Sequence, residues 1–179
     1  MAIKHAFASA KADGTDATQV RPVNWNADHT GILAIRKTAD QAVTNSTQLV
    51  NDDHLKFAMA ANEKWIFELC LFVDGPTGAD IRIAFSVPTG ATLIWAGTGL
   101  ELGAMTLDEV GMGPVRTTSD GASGFGLIAG TPTFIAVSGT VENGVNAGDL
   151  QLRWAQQVAD PITASGIYKN SWLKAHTVS

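Results

Sequence analysis

The chain has 179 residues, of which 45% are hydrophobic and only 16% charged, with a formal net charge of −5. That length fits one domain, or one domain with a short appendage, and the apolar share supports a real core and excludes wholesale disorder. The acidic balance excludes nucleic-acid binding through a basic patch, and no apolar run is long enough to cross a membrane as a helix. The single cysteine, Cys70, excludes an internal disulfide and a cysteine-based zinc cluster. Together with the absence of an apolar signal core in Met1-Ala2-Ile3-Lys4-His5, it sets the expectation of folding in a reducing cytoplasm.

Residues 1–31 are polar and lack sustained periodicity. Asp13-Gly14 is a turn signal, and Pro22 biases Arg21 towards an extended backbone. A segment of this composition does not bury enough surface to order itself alone. It reads as an attachment arm that docks through Arg21, Asn24 and Trp25.

From Ile32 onward the texture changes to period two, and residues 32–179 read as one module. Residues 64–73 place Trp65, Phe67, Leu69, Leu71 and Val73 on one face and Ile66, Glu68, Cys70 and Phe72 on the other. Both faces are largely apolar, so a central strand covered on each side is expected, with Cys70 buried and inert. Asp74-Gly75-Pro76-Thr77-Gly78 turns the chain into a second strand with Ile81, Ile83, Phe85 and Val87 on one face, and the two read as a hairpin-like pair. Glu68 then needs a partner, and Arg82 is the candidate. Further strands are expected over residues 92–96, 114–118, 124–128, 131–141, 149–158 and 171–178, the last offering Trp172 to the core. Asn143-Gly144 is a tight-turn signal, and residues 105–110 are the best place for a short helical turn.

Strand signals every 10–15 residues without a 3.6 period predict an all-β antiparallel sandwich, a jelly roll in preference to other sandwiches, with an extended N-terminal arm. Catalytic motifs are sparse. His5, His29, His54 and His176 show no metal-ligand spacing, and each reads as a solvated side chain. Asp52-Asp53-His54 has the oxygen donors that a hard cation favours, although a hydrophilic turn is the simpler reading. Ser123 lies outside any nucleophile elbow. Glu63, Glu68, Glu101, Glu109 and Glu142 offer carboxylates for glycoside hydrolysis only if two of them face each other. Trp65, Trp95, Trp154 and Trp172 fall at alternating positions expected to face the core, against the alternative of exposed platforms for sugar. No cofactor and no metal are expected.

The stretch from Ala2 to Gly14, followed by Val20-Arg21-Pro22-Val23-Asn24-Trp25-Asn26-Ala27-Asp28-His29, resembles the N-terminal segment of tail-fibre and minor tail proteins of tailed bacteriophages. That pattern runs Ser-Ala-Lys-x-Asp-Gly, a short gap, then Val-Arg-Pro-Ser-x-Trp-Asn-x-x-His, with Val23 standing here where serine is commoner. Further on, Phe57-Ala58-Met59-Ala60-Ala61-Asn62-Glu63-Lys64-Trp65 and Leu150-Gln151-Leu152-Arg153-Trp154-Ala155-Gln156 are similar to segments of phage virion proteins with a jelly-roll-like module. The resemblance implies a non-enzymatic virion part, assembled in the bacterial cytoplasm with other virion proteins, and analogy with jelly rolls used this way adds self-association as a trimer. A tail or fibre component is the first reading, a head-decoration protein the second, and a module binding host surface glycan the third.

Overall fold

The computed structural model describes residues 14–15, 32–118 and 120–178. The proposed docking residues Arg21, Asn24 and Trp25, and the 1–31 arm apart from Gly14 and Thr15, lie outside the described residues. The chain forms thirteen strands: β1 (Ile32–Arg36), β2 (Gln41–Val43), β3 (Val50–Met59), β4 (Lys64–Asp74), β5 (Ile81–Ser86), β6 (Thr92–Leu100), β7 (Val110–Met112), β8 (Arg116–Thr117), β9 (Ser123–Phe125), β10 (Thr133–Glu142), β11 (Gly148–Gln156), β12 (Ser165–Ile167) and β13 (Trp172–Val178). No helix occurs among the described residues. Residues 105–110, expected to hold a helical turn, make a tight turn at Leu107 and Asp108 instead.

The strands form an antiparallel sandwich. The large sheet runs β1-β13-β4-β10-β6-β7, with β2, β12 and β8 attached, and the small sheet runs β3-β11-β5-β9. The pairing is nested: β1 pairs β13, β2 pairs β12, β3 pairs β11, β4 pairs β10, β5 pairs β9, and β6 pairs β7 and β8. The chain is thus a folded-back ribbon, and the cross-pairs β13·β4, β10·β6 and β11·β5 roll it into two layers.

The inner faces follow the period-two pattern. Phe67, Leu69 and Leu71 of β4, Val137 of β10 and Leu93 of β6 meet Leu55 of β3, Leu152 and Trp154 of β11 and Ile83 of β5, all buried. Aromatic contacts bridge the layers: Phe57 lies 5.0 Å from Trp65, and Phe85 lies 5.3 Å from Phe67 and 5.1 Å from Trp95. Each such pair contributes about 0.5–1.5 kcal/mol beyond the area it buries. Opposite Phe67 and Trp95 in the ladder stands Gly139, where an added Cβ would lie 2.5 Å from the Phe67 ring and 2.8 Å from the Ile94 carbonyl oxygen. Only glycine lets both rings occupy that row.

Several sequence-based expectations change. β4 and β5 are not a hairpin: the 74–80 turn carries the chain from the large sheet to the small one. Asp80, at φ 51°, holds that crossing by accepting hydrogen bonds from the backbone N–H groups of Gly103 (2.9 Å) and Leu127 (2.9 Å). β4 is central in the hydrogen-bond ladder, but among the described residues it is covered on one side only; Glu68 is exposed, 4.0 Å from Lys174, and has no need of Arg82 in the other sheet. In β13 the inward residues are Leu173 and Ala175, and Trp172 faces out, because Trp172 is in register with outward-facing Cys70. Trp65, Trp95 and Trp154 are in the core as expected.

The Asp52-Asp53-His54 cluster is neither a turn nor a metal site. β3 carries extra residues between Asn51 and Lys56 relative to Gln151 and Arg153 of β11, and this bulge turns Asp52 inward. One oxygen of Asp52 accepts from the backbone N–H groups of His54 and Leu55, at 2.9 Å each. The other accepts from Lys37 Nζ at 2.7 Å, with both side chains fully buried. Lys37 Nζ also donates to Gln41 Oε1 (3.1 Å), which in turn accepts from the Asp53 N–H (3.1 Å). The cation held by the acidic cluster is therefore a lysine, placed just beyond β1 of the large sheet and bonded to β3 of the small one.

Removing one partner of such a pair strands a buried charge. Lys37→Met should lower the unfolding free energy in urea by about 3–5 kcal/mol, and Lys37→Met combined with Asp52→Asn should recover part of that loss. Equal losses in the single and double variants would refute the coupling.

Candidate functional site on the outer face of the large sheet

The outer face of the large sheet is built in cross-strand rows. One row runs Trp172, Cys70, Ala136, Thr98 and Met112 from β13 to β7, and another runs His176, Ile66, Thr140, Ile94 and Thr117 from β13 to β8. Residues in register share a face, so these side chains are neighbours. On β10 the outward residues from Ala136 to Thr140 are small, whereas β4 and β6 present Ile66, Glu68 and Ile94. The height difference opens a trough of about 420 Å³ over Ser138 and Thr140. Ile66 and Ile94 wall it, Val115 lies over the β6 side, and Lys174 and His176 stand at the β13 side.

Next to the trough the sheet face is apolar. Phe72 and Phe134 are ladder partners, and Phe134 is 57% exposed. Phe134 adjoins the loop from β6 through β7 to β8, which leaves Met105, Leu107, Val110, Met112 and Val115 exposed, Met112 at 84%. A smaller hollow of about 210 Å³ separates that loop from Phe134 and is lined by Leu107, Val110 and Pro132. Monomeric proteins seldom leave this many large apolar side chains together in water.

The remaining chemistry-bearing side chains have structural roles. Glu63 accepts from the Ala60 N–H (2.7 Å) and from the Trp65 indole (3.0 Å), and Glu109 accepts from the Met105 N–H (2.8 Å). Glu142 sits 3.7 Å from Lys64. Ser123 is buried, and His54 is half-buried with Nε2 2.9 Å from Thr38 Oγ1. His176 is half-buried at the trough, while His5 and His29 lie outside the described residues. No group of three or more His, Cys, Asp and Glu side chains able to hold a metal occurs among the described residues. Asp160 closes the turn after β11 by accepting from the N–H groups of Ile162 and Thr163, and these bonds hold its carboxyl below the usual range.

Sequence reasoning separated the two faces of β4 correctly but assigned a covering layer to both. The trough was visible only as the run of small alternate residues Ala136, Ser138 and Thr140, which gains meaning once β10 is known to lie between β4 and β6. Cys70, expected to be buried, is half-buried on the outer face, and the partial burial raises its thiol pKa.

No family model matches the chain, and no curated protein sequence matches it. Among solved structures, the chain is similar to proteins in the structures of infectious bursal disease virus strains Gt and Gx. The identities are 10% and 9%, with a TM-score of 0.24 in both cases. The matches cover 94% and 93% of this chain, which spans 45% and 44% of those chains. Likeness of this size assigns neither fold nor function, and the architecture rests on the strand pairing described above.

The thiol gives a direct probe of this face. With a raised pKa, less of Cys70 is thiolate at pH 8 than in a free cysteine, so a soluble disulfide reagent should react more slowly with the native chain than with the unfolded one. The rate should climb as pH rises through the elevated pKa, and Trp172→Ala should increase it by uncovering the neighbouring row. A native rate equal to the unfolded rate would place Cys70 in open solvent.

Proposed function

We propose that this chain is a non-enzymatic structural protein of a tailed-bacteriophage virion, a jelly-roll module tethered by residues 1–31 and self-associating as a trimer. The nested pairing supports the jelly roll: the pairs β3·β11, β4·β10, β5·β9 and β6·β7 are those of an eight-stranded ribbon wound into two four-stranded sheets. The N-terminal sequence pattern supports the phage assignment, with a tail or fibre component as the first reading.

The single observation that carries self-association is the apolar loop between β6 and β8. Leu107 and Val110 line a hollow with Phe134, and Met105 and Met112 of the same excursion are likewise each more than half exposed. A low share of charge suits close contact between subunits. Trimers follow by analogy with other jelly rolls used as virion parts. Arg21, Asn24 and Trp25 are the proposed contacts to the particle.

Light scattering on the full chain should give the mass of a trimer, and Met112→Asp with Leu107→Asp should give a monomer with an unchanged β-sheet circular dichroism spectrum. A monomeric native chain would refute self-association. Particle incorporation that depends on Trp25, tested with Trp25→Ala in the full chain, separates attachment from folding. Head-decoration is the alternative reading, supported where the protein is recovered on tailless heads. Glycan binding would require saturable retention on a host polysaccharide.

A further inference from the structure

The loop that follows β6 and the trough over β10 are complementary in charge, and both offer apolar surface. Between Leu100 and Val115 the excursion carries Glu101, Asp108 and Glu109 and no lysine or arginine. The β13 side of the trough carries the exposed Lys174 and, beside it, His176. Glu68 lies 4.0 Å from Lys174, at the outer limit of an ion pair, so the ammonium keeps donors for a second carboxylate.

The tip of the excursion is preorganised. Glu109 accepts from the Met105 N–H at 2.8 Å, and its own N–H donates to the Thr106 carbonyl at 3.4 Å, which closes residues 105–109 into a turn. Farther back, the Ala104 N–H donates to the Glu101 carbonyl at 2.9 Å, and the Gly103 N–H donates to Asp80. The turn leaves Met105, at 71% exposure, Leu107 and Asp108 on the surface. A tip already held in one shape loses little freedom on docking. Two apolar side chains beside one carboxylate match a trough walled by Ile66 and Ile94 with Lys174 at one side.

The tip does not reach the trough of its own chain. Leu107 lines the hollow with Thr133 and Phe134 at the start of β10, whereas the trough lies over Ser138 and Thr140. Phe134 and Thr140 are six residues apart on that strand, about 20 Å at the rise of an antiparallel strand. The bonds that close the turn and tie its base hold the tip at the far end. A second copy's tip is under no such restraint.

We propose that the 105–109 tip of one copy seats in the trough of the next, with Met105 and Leu107 against Ile66 and Ile94 and Asp108 beside Lys174. This inference rests on the self-association proposed above and adds which two surfaces meet. Tip and trough are different patches, so the contact is heterologous, the kind that closes three copies into a ring.

The test reads the mass of the full chain by light scattering over a dilution series. Asp108→Lys and Lys174→Glu each set like charges together, and each should raise the concentration needed for association about tenfold or more. Asp108→Lys combined with Lys174→Glu restores opposite charges and should recover most of the native association. Both positions are exposed, so the circular dichroism spectrum should stay unchanged in all three variants. In a Cys70→Ser background, Met105→Cys with Thr140→Cys should form an interchain disulfide under mild oxidation. A native oligomer whose association neither charge variant weakens would overturn the proposal and leave self-association standing. So would single-variant losses without recovery in the double variant, or copies linked by one of the two cysteines alone, the mark of a like-to-like contact. A monomeric native chain would overturn both readings.

Discussion

The contact between Lys37 and Asp52 fixes how the two sheets meet. Apolar packing holds sandwich layers together strongly but with little preference for one lateral position over a neighbouring one. A buried ammonium that must meet a buried carboxylate has such a preference. The carboxylate is itself held by two N–H groups of the β3 bulge, so the ion pair binds an edge of the large sheet to a defined point on an edge of the small one. Its net stabilisation is modest, because desolvating two charges offsets most of their attraction. Its value lies in specificity: a layer shifted by one residue would leave both charges unpaired.

That fixed registration shapes the outer surface as well. With Gly139 opposite Phe67 and Trp95, that inner row is filled by rings from β4 and β6, and β10 adds no side chain to it. The same strand is low on the outside, where Ala136, Ser138 and Thr140 run between taller neighbours. The trough is thus the external counterpart of an internal packing solution. The apolar loop after β6 lies beside it because the excursion from β6 to β8 folds back along the β6 edge.

The sequence made the all-β class, the alternating faces and most strand positions legible, because period two reports which residues share a face. It does not report which strand lies alongside. The 74–80 segment has every mark of a hairpin turn, yet it crosses between layers, and no local feature distinguishes the two cases. Glu68 and Trp172 were misplaced for the same reason: their exposure depends on what covers the second face of the large sheet, and among the described residues nothing does. β3 escaped notice because its bulge breaks the alternation between Asp52 and Leu55, so a long strand read as a polar cluster with a cation-binding look. The arm pattern around Trp25 was legible only as a resemblance, and the trough had no mark beyond the small alternate residues Ala136, Ser138 and Thr140, since it is a property of three strands far apart in the chain.

The nested pairing also sets an order of assembly. β6 and β7 are separated by a short loop, whereas β3 and β11 are about a hundred residues apart, and β1 and β13 are further apart still. Closing a long loop costs more chain entropy than closing a short one, and each inner pair shortens the loop that the next must close. The ribbon is therefore cheapest to zip from the β6–β7 end outward, with β1·β13 closing last. A topology dominated by distant pairings folds slowly. The edge strand β1 is then the final piece to gain its partner, after the rest of the two-layer wall exists.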